Sequence, residues 1–316
     1  MNDESTFLQR YEKALNPRQP EKCSIPTRVL GYGEISTVLE IVHPDGQRYA
    51  YKRMPMFYAH QEVEQYERLV HKWVKTCNEE IGLAVLASNT YCIHDEHNKR
   101  FIVYIKQESL PRERIGNQII KHANEQTASE LLLVVLKATQ KVYDFNHKNR
   151  GKIEIGFDAQ ISNWAISFVS NDKVPANKPA VTFFDISSPL IRLNGIEQQD
   201  SELFLRSAPS FLVWLIRLLF VQDVMTRYYD QRKVVIDLLA NLYKEQRADL
   251  IPTLLDTVNA FLADTIEPIT IKEVRDYYRE DAWIWRIYLT FRKTDRFLHR
   301  LLGLYYPYIL PDKIRR

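Results

Sequence analysis

Glycine is scarce: the chain has nine in 316 residues, where average usage gives roughly 22. So little flexible backbone excludes collagen-like architecture, and it makes two glycines one residue apart worth a close reading. Cysteine is sparser still, with Cys23, Cys77 and Cys92 alone. An odd, thin set excludes a disulfide framework and suits a reducing compartment. Long apolar runs are missing too. The most apolar stretch, residues 211–221, is interrupted by Arg217. It is shorter than the roughly 20 residues a membrane-spanning helix needs, so a buried helix is expected. Residues 1–5 are acidic and polar; no secretory signal is expected, and a cytoplasmic location follows by default. Charge of one sign is also lacking, since 43 Lys and Arg stand against 40 Asp and Glu for a net +3, too little to point to a nucleic-acid partner. What is present is 45% hydrophobic, 12% aromatic and 26% charged, the balance of a soluble globular protein of one large domain or two lobes.

Residues 6–15 read as a short helix stopped by Asn16-Pro17. From 27 to 52 the pattern is β: Val29-Leu30 enter a glycine turn, 38–42 is rich in Val, Leu and Ile, Pro44-Asp45-Gly46 turns the chain, and 49–52 returns. Residues 60–77 place Val63, Tyr66, Leu69, Val70 and Trp73 at helical spacing. Strands are expected at 84–93 and 101–106, then a hinge near 107–111. A long helix at 127–145, strands at 164–169 and 180–184 around a polar loop at 170–179, and helix beyond Glu202 complete the reading. It is a strand-rich first third and a mainly helical remainder.

Five elements carry chemistry. Gly31-Tyr32-Gly33-Glu34-Ile35-Ser36 is a turn whose amides can approach phosphate, or an ordinary hairpin. Lys52 sits on a following strand, on the face under that turn by alternation; alone it reads as a solvated lysine. Glu62 shares a helical face with Tyr66 and Leu69 and can pair with Lys52. Glu64 is the fallback, because the register is open. Asp158 and Asn163 lie five apart across a loop, a spacing that lets Asp orient an attacking hydroxyl and Asn bind Mg²⁺. The same spacing recurs at Asp144/Asn149 and Asp172/Asn177, but only the middle pair runs directly into a strand. Asp185 ends the apolar stretch Val181-Thr182-Phe183-Phe184, where a carboxylate is well placed for a metal.

The order of these elements resembles the protein kinase-like fold, which includes aminoglycoside phosphotransferases and choline kinases, over residues 28–190. The resemblance implies an α+β, two-lobed architecture. A small antiparallel sheet with one helix would form an N-terminal nucleotide-binding lobe, residues 1–108. A larger helical lobe, 109–316, would carry the catalytic loop and acceptor site. It implies ATP and Mg²⁺ as cofactors. Gly31, Gly33 and Ser36 would cover the phosphates, with Lys52 paired to Glu62. Main chain near Tyr104 to Gln107, Lys106 included, would hold adenine, Asp158 would be the catalytic base, and Asn163 and Asp185 would be metal ligands. The sequence departs from the pattern in three places. Ser36 stands for the third glycine, Gly156-Phe157 for the residues that usually precede the catalytic Asp, and Ile186-Ser187 for Phe-Gly after Asp185.

The implied function is ATP- and Mg²⁺-dependent phosphoryl transfer to a small-molecule hydroxyl or amine. A catalytically silent nucleotide-binding or interaction protein, and nucleotidyl transfer on the same scaffold, are the alternatives. The sequence has no Gly-x₄-Gly-Lys phosphate loop and no Gly-x-Ser-x-Gly nucleophile turn. Cys92, His94 and His97 fall in a polar turn and read as solvated. Residues 273–316 mix ten Lys and Arg with six Asp and Glu among many aromatics, and read as a packed helix with a basic outer face. The acceptor and the oligomeric state are not legible.

Overall fold

The alternating stretch at 27–52 and the two runs after it form one antiparallel sheet. Its strands are β1 (Thr27–Tyr32), β2 (Thr37–Val42), β3 (Arg48–Phe57), β4 (Ser88–Asp95) and β5 (Arg100–Glu108), in the order β1-β2-β3-β5-β4. The computed structural model describes residues 3–33, 35–167, 180–206 and 226–311. Glu34, the polar loop at 170–179, the apolar run at 211–221 and the basic residues after 311 lie outside them.

Helix α1 (Asp3–Ala14) covers one face of the sheet, where Phe7, Leu8 and Tyr11 pack on Leu39, Ile41, Tyr51 and Tyr104. Helix α2 (His60–Lys75) covers the other, with Val63, Tyr66, Val70 and Trp73 against Met54, Val103 and Ile105. A sheet covered on both faces makes its central strands read as continuous buried runs. In β3 that run contains two adjacent cations, Lys52 and Arg53, 4% and 1% exposed. Successive strand residues point to opposite faces. Arg53 therefore enters the α1 side, where Nε meets Glu12 at 2.6 Å and Nη1 donates to the Pro307 carbonyl at 2.7 Å. Lys52 enters the α2 side.

Beyond β5 the chain forms α3 (Gly116–His122), α4 (Glu125–Lys148), β6 (Ile153–Ile155), the antiparallel pair β7 (Trp164–Ser167) and β8 (Ala180–Phe183), and the hairpin β9 (Ile191–Leu193) and β10 (Ile196–Glu197). Asn194 and Gly195 turn that hairpin with φ of 51° and 78°, the left-handed pair a two-residue loop requires. Helices α5 (Ser201–Leu205), α6 (Gln231–Lys244), α7 (Ile251–Phe261) and α8 (Ile271–Leu301) follow. Among the described residues no helix is long and apolar enough to cross a membrane, and the three cysteines are free.

The helical reading beyond Glu202 fails at the end. Gly303 takes a left-handed φ of 67° after α8, and Pro307 and Pro311 cannot continue a helix. Residues 305–311 instead return to the sheet. There the Ile309 carbonyl accepts from Thr37 Oγ1 at 3.3 Å, and Tyr308 donates to the Arg206 carbonyl at 2.9 Å.

Candidate active site

Register decides which side chains meet. Gly31 pairs with Val38, Val38 with Lys52 and Lys52 with Ile105, so these four share one face. No atom stands within 4 Å of where a Cβ on Gly31 would be, and the face above Lys52 is open there. The turn after β1 closes with Gly33 N–H donating to the Ser36 carbonyl at 2.9 Å.

Lys52 Nζ lies 2.7 Å from Asp185 Oδ1 and donates to the Phe184 carbonyl at 2.8 Å. Gln107 Nε2 donates to the same carbonyl at 3.0 Å, so two residues of the sheet fix the strand end that carries Asp185. Burial alone would raise the Asp185 carboxyl; Lys52 and the Ser187 hydroxyl and amide outweigh it and hold it below its ordinary value.

The Asp158–Asn163 loop closes on itself. Asp158 Oδ1 accepts from Gln160 N–H at 3.1 Å, and Asn163 Nδ2 donates to the Asp158 carbonyl at 3.3 Å. Pairing of Trp164 with Phe183, continued by Phe184 N–H donating to the Asn163 carbonyl at 3.1 Å, brings this loop beside Asp185. Phe157, where the resemblance leads one to expect an orienting polar residue, anchors the loop by packing instead. Its ring stacks on Trp73 at 6.3 Å and lies 4.6 Å from Phe183, while its N–H donates to the Tyr228 carbonyl at 2.9 Å.

Gly156 is fixed by crowding: a Cβ there would stand 2.6 Å from Leu190 Cβ and 3.0 Å from Tyr229 Cζ. Gly156→Ala is expected to destabilise the fold by about 1–3 kcal/mol through overpacking and to push the Asp158 loop outward. A melting curve beside a crystal structure of the variant checks both.

Gly33, Ser36, Asp158, Asn163 and Asp185 line one cleft with a volume of about 230 Å³. Sequence reasoning missed the residues on its far wall: Asp237 and Lys244 of α6, and Asp281 and Trp285 of α8. Gln160 joins the walls, since its Nε2 donates to Asp237 Oδ2 at 3.0 Å while its N–H holds Asp158. Burial first, and the Asp237 carboxylate second, push the Asp158 carboxyl up to about 7. A signal for Asp237 was present: it is the single acid in the apolar stretch 234–242, with Asn241 four residues on.

Three expected placements do not form. Glu62 is not with Lys52: it takes Arg206 in a two-pronged pair at 2.7 and 2.8 Å. It also accepts from the Tyr58 and Ala59 amides, and the Arg206 bond leads the effects that bring its carboxyl down to about 2. The reason is its place in the first turn of α2, where a carboxylate satisfies the orphan amides of the helix start. The fallback, Glu64, is exposed and pairs with His60. One turn after Glu62, Tyr66 reaches the site side and donates to the Ser187 carbonyl at 2.9 Å.

Tyr104 and Lys106 also lie away from the cleft. Their side chains bond Glu12 and Glu4 of α1, and Lys106 Nζ sits 3.8 Å over the Tyr49 ring. β5 is flanked by β3 and β4, so its main-chain groups are used in two ladders. The first main chain past the ladder is at 109–111.

Among the described residues no three of His, Cys, Asp and Glu gather as a metal cluster. Cys92 and His94 lie on β4 and not in the expected turn, which holds only His97; His94 stacks on Phe101 at 4.5 Å. The oxygen donors of Asp185 and Asn163 suit a hard cation that keeps water and phosphate ligands, as Mg²⁺ does.

No curated protein sequence matches the chain. A solved structure, "WaaP in complex with acyl carrier protein", is similar at 14% identity and a TM-score of 0.34, over 74% of this chain and 90% of that one. Residues 19–296 match the group described as "Family of unknown function (DUF6206)", and the chain belongs to that family.

Proposed function

We propose that this protein is an ATP-dependent phosphotransferase of the protein kinase-like fold, acting on a small-molecule hydroxyl or amine. Residues 1–108 serve as its nucleotide lobe and 109–316 as its acceptor lobe. The supporting observation is the meeting of Gly33, Ser36, Asp158, Asn163 and Asp185, from three separated stretches, in one cleft, with the half-buried Asp185 paired to the buried Lys52. In this reading the amides of the 31–36 turn and the Lys52 ammonium bind the phosphates, and the base lies against 109–111. Asp158 takes the proton of the acceptor hydroxyl as that oxygen bonds to the γ-phosphorus and the bond from that phosphorus to the bridging oxygen breaks, releasing ADP. Asn163 and Asp185 hold Mg²⁺, which when bound offsets phosphate charge. Gln160 keeps Asp158 turned toward the acceptor.

A second reading, a silent nucleotide-binding scaffold, is favoured by one observation: Glu62 is bound by Arg206, leaving Asp185 as the carboxylate that orients Lys52.

ATP is expected to raise the melting temperature only with Mg²⁺, by the equivalent of about 2.7 kcal/mol at 100 times its dissociation constant. No shift with or without Mg²⁺ removes both readings. Label moved from the γ-phosphate to a small-molecule acceptor selects the enzyme over the scaffold; label moved from the α-phosphate selects nucleotidyl transfer.

A further inference from the structure

The basic and aromatic stretch read at 273–316 has two sides in the structure. Inward, α8 buries Ala282, Trp285 and Arg292. Outward, its helical period places Trp283, Arg286, Thr290, Thr294, Phe297 and Leu301 along one stripe. On it Trp283 is 57% exposed, Phe297 55% and Leu301 65%. The apolar surface continues past the helix end. Gly303 and Leu304 N–H groups donate to the Arg300 and His299 carbonyls at 3.2 and 2.7 Å, and this cap holds Leu302 and Leu304 in solvent, 72% and 54% exposed. Large apolar side chains gathered this way mark a docking surface.

The charges along this stretch are mostly positive. From 283 to 304 the single acid is Asp295, against Arg286, Lys293, Arg296 and Arg300 besides the inward Arg292. Asp295 is half-buried, with Oδ1 3.4 Å from His299 Nδ1. Protruding leucines and aromatics ringed by cations complement an acidic bilayer, with apolar side chains at the acyl boundary and arginines among lipid phosphates. A helix with this many charges lies in the interface and does not cross it.

We propose that the carboxy-terminal half of α8 and its cap, residues 283–304, seat the protein on an anionic lipid surface. Phe297, Leu301, Leu302 and Leu304 enter the interface, and Arg286, Arg296 and Arg300 contact headgroup phosphates. The test is flotation of the full chain with phosphatidylcholine vesicles and with vesicles that also contain phosphatidylglycerol. The protein should float with the second and not the first, and added salt should release much of it. The double variant Phe297→Ser, Leu301→Ser should keep the wild-type melting temperature, because both side chains are exposed, and should lose at least tenfold in vesicle partitioning. The proposal is overturned by no flotation, by equal flotation with neutral vesicles, or by a double variant that floats as well as wild type. It is also overturned if wild type is a dimer that the double variant breaks, with no vesicle binding in either; the surface would then belong to a second copy of the chain.

Discussion

Asp158→Asn is expected to lower turnover by roughly the 10²–10⁴ typical of a lost general base while leaving ATP affinity nearly unchanged. The variant keeps an oxygen for Gln160 N–H, which donates to Asp158 Oδ1 at 3.1 Å, so the loop geometry survives and the proton acceptor does not. Asp185→Asn makes the contrast. It strips the charged partner from the buried Lys52, so ATP affinity and melting temperature should fall together with turnover. pH adds an independent readout on Asp158. Its carboxyl is raised from the ordinary 3.8 to about 7 by burial and by Asp237, so turnover should decline as pH falls through that value. Asp237→Asn removes the neighbouring negative charge and should move the midpoint lower. The stability effect has the opposite sense: a neutral buried carboxyl favours the fold, a contribution fully present below the unfolded value and lost as pH rises through about 7. In metal-free protein that loss should be visible in wild type and absent in Asp158→Asn. Full activity in Asp158→Asn would falsify the proposed mechanism.

Glu12→Ala is expected to cost about 3–5 kcal/mol, the range for removing one partner of a buried ion pair. Arg53 is 1% exposed, and its guanidinium is held by both Glu12 oxygens at 2.6 and 3.0 Å and by the Pro307 carbonyl. Truncating Glu12 leaves a charge buried between sheet and helix with one neutral acceptor. The same change deprives the Tyr104 hydroxyl of its acceptor. Replacing the pair together, as Glu12→Leu with Arg53→Met, should recover most of the loss, since an apolar pair of similar volume has no desolvation penalty. Denaturant melts of the single and double variants check this. If Glu12→Ala melts within about 0.5 kcal/mol of wild type, as an ordinary surface change does, the pair is not structural.

Lys52 and Arg53 show what a sequence reveals and what it hides. The face that Lys52 occupies was legible from strand alternation, though its partner, expected to be Glu62, is Asp185. Arg53 carries the same charge one residue later, yet its meaning depends on Glu12, in a helix 41 residues earlier, and on no local pattern. The Asp158–Asn163 loop was legible because it runs straight into a strand, and β7 pairing with β8 then sets Asn163 beside Asp185. Glu62 was misplaced because helical spacing gives its face but not the competing demand of a helix start. Tyr104 and Lys106 were assigned to a strand correctly; that the strand is central, with both edges paired, is a property of the assembled sheet. The dipeptide Asn194-Gly195 between apolar residues is itself a hairpin signal. Asp237 was equally visible, as one acid in a buried helix.

The return of residues 305–311 to the sheet sets an order of events during synthesis. Arg53 and Thr37 donate to the carbonyls of Pro307 and Ile309, 254 and 272 residues later in the chain. The β-strands leave the ribosome early, and Arg53 then has Glu12, but its Nη1 lacks the Pro307 carbonyl until 254 further residues have been made. Domains tend to fold as they appear, amino-terminal end first, and long-range contacts are slow to form. A nascent sheet without its last acceptors should be a holding state, prone to capture by chaperones, and locked only when the trailing segment arrives.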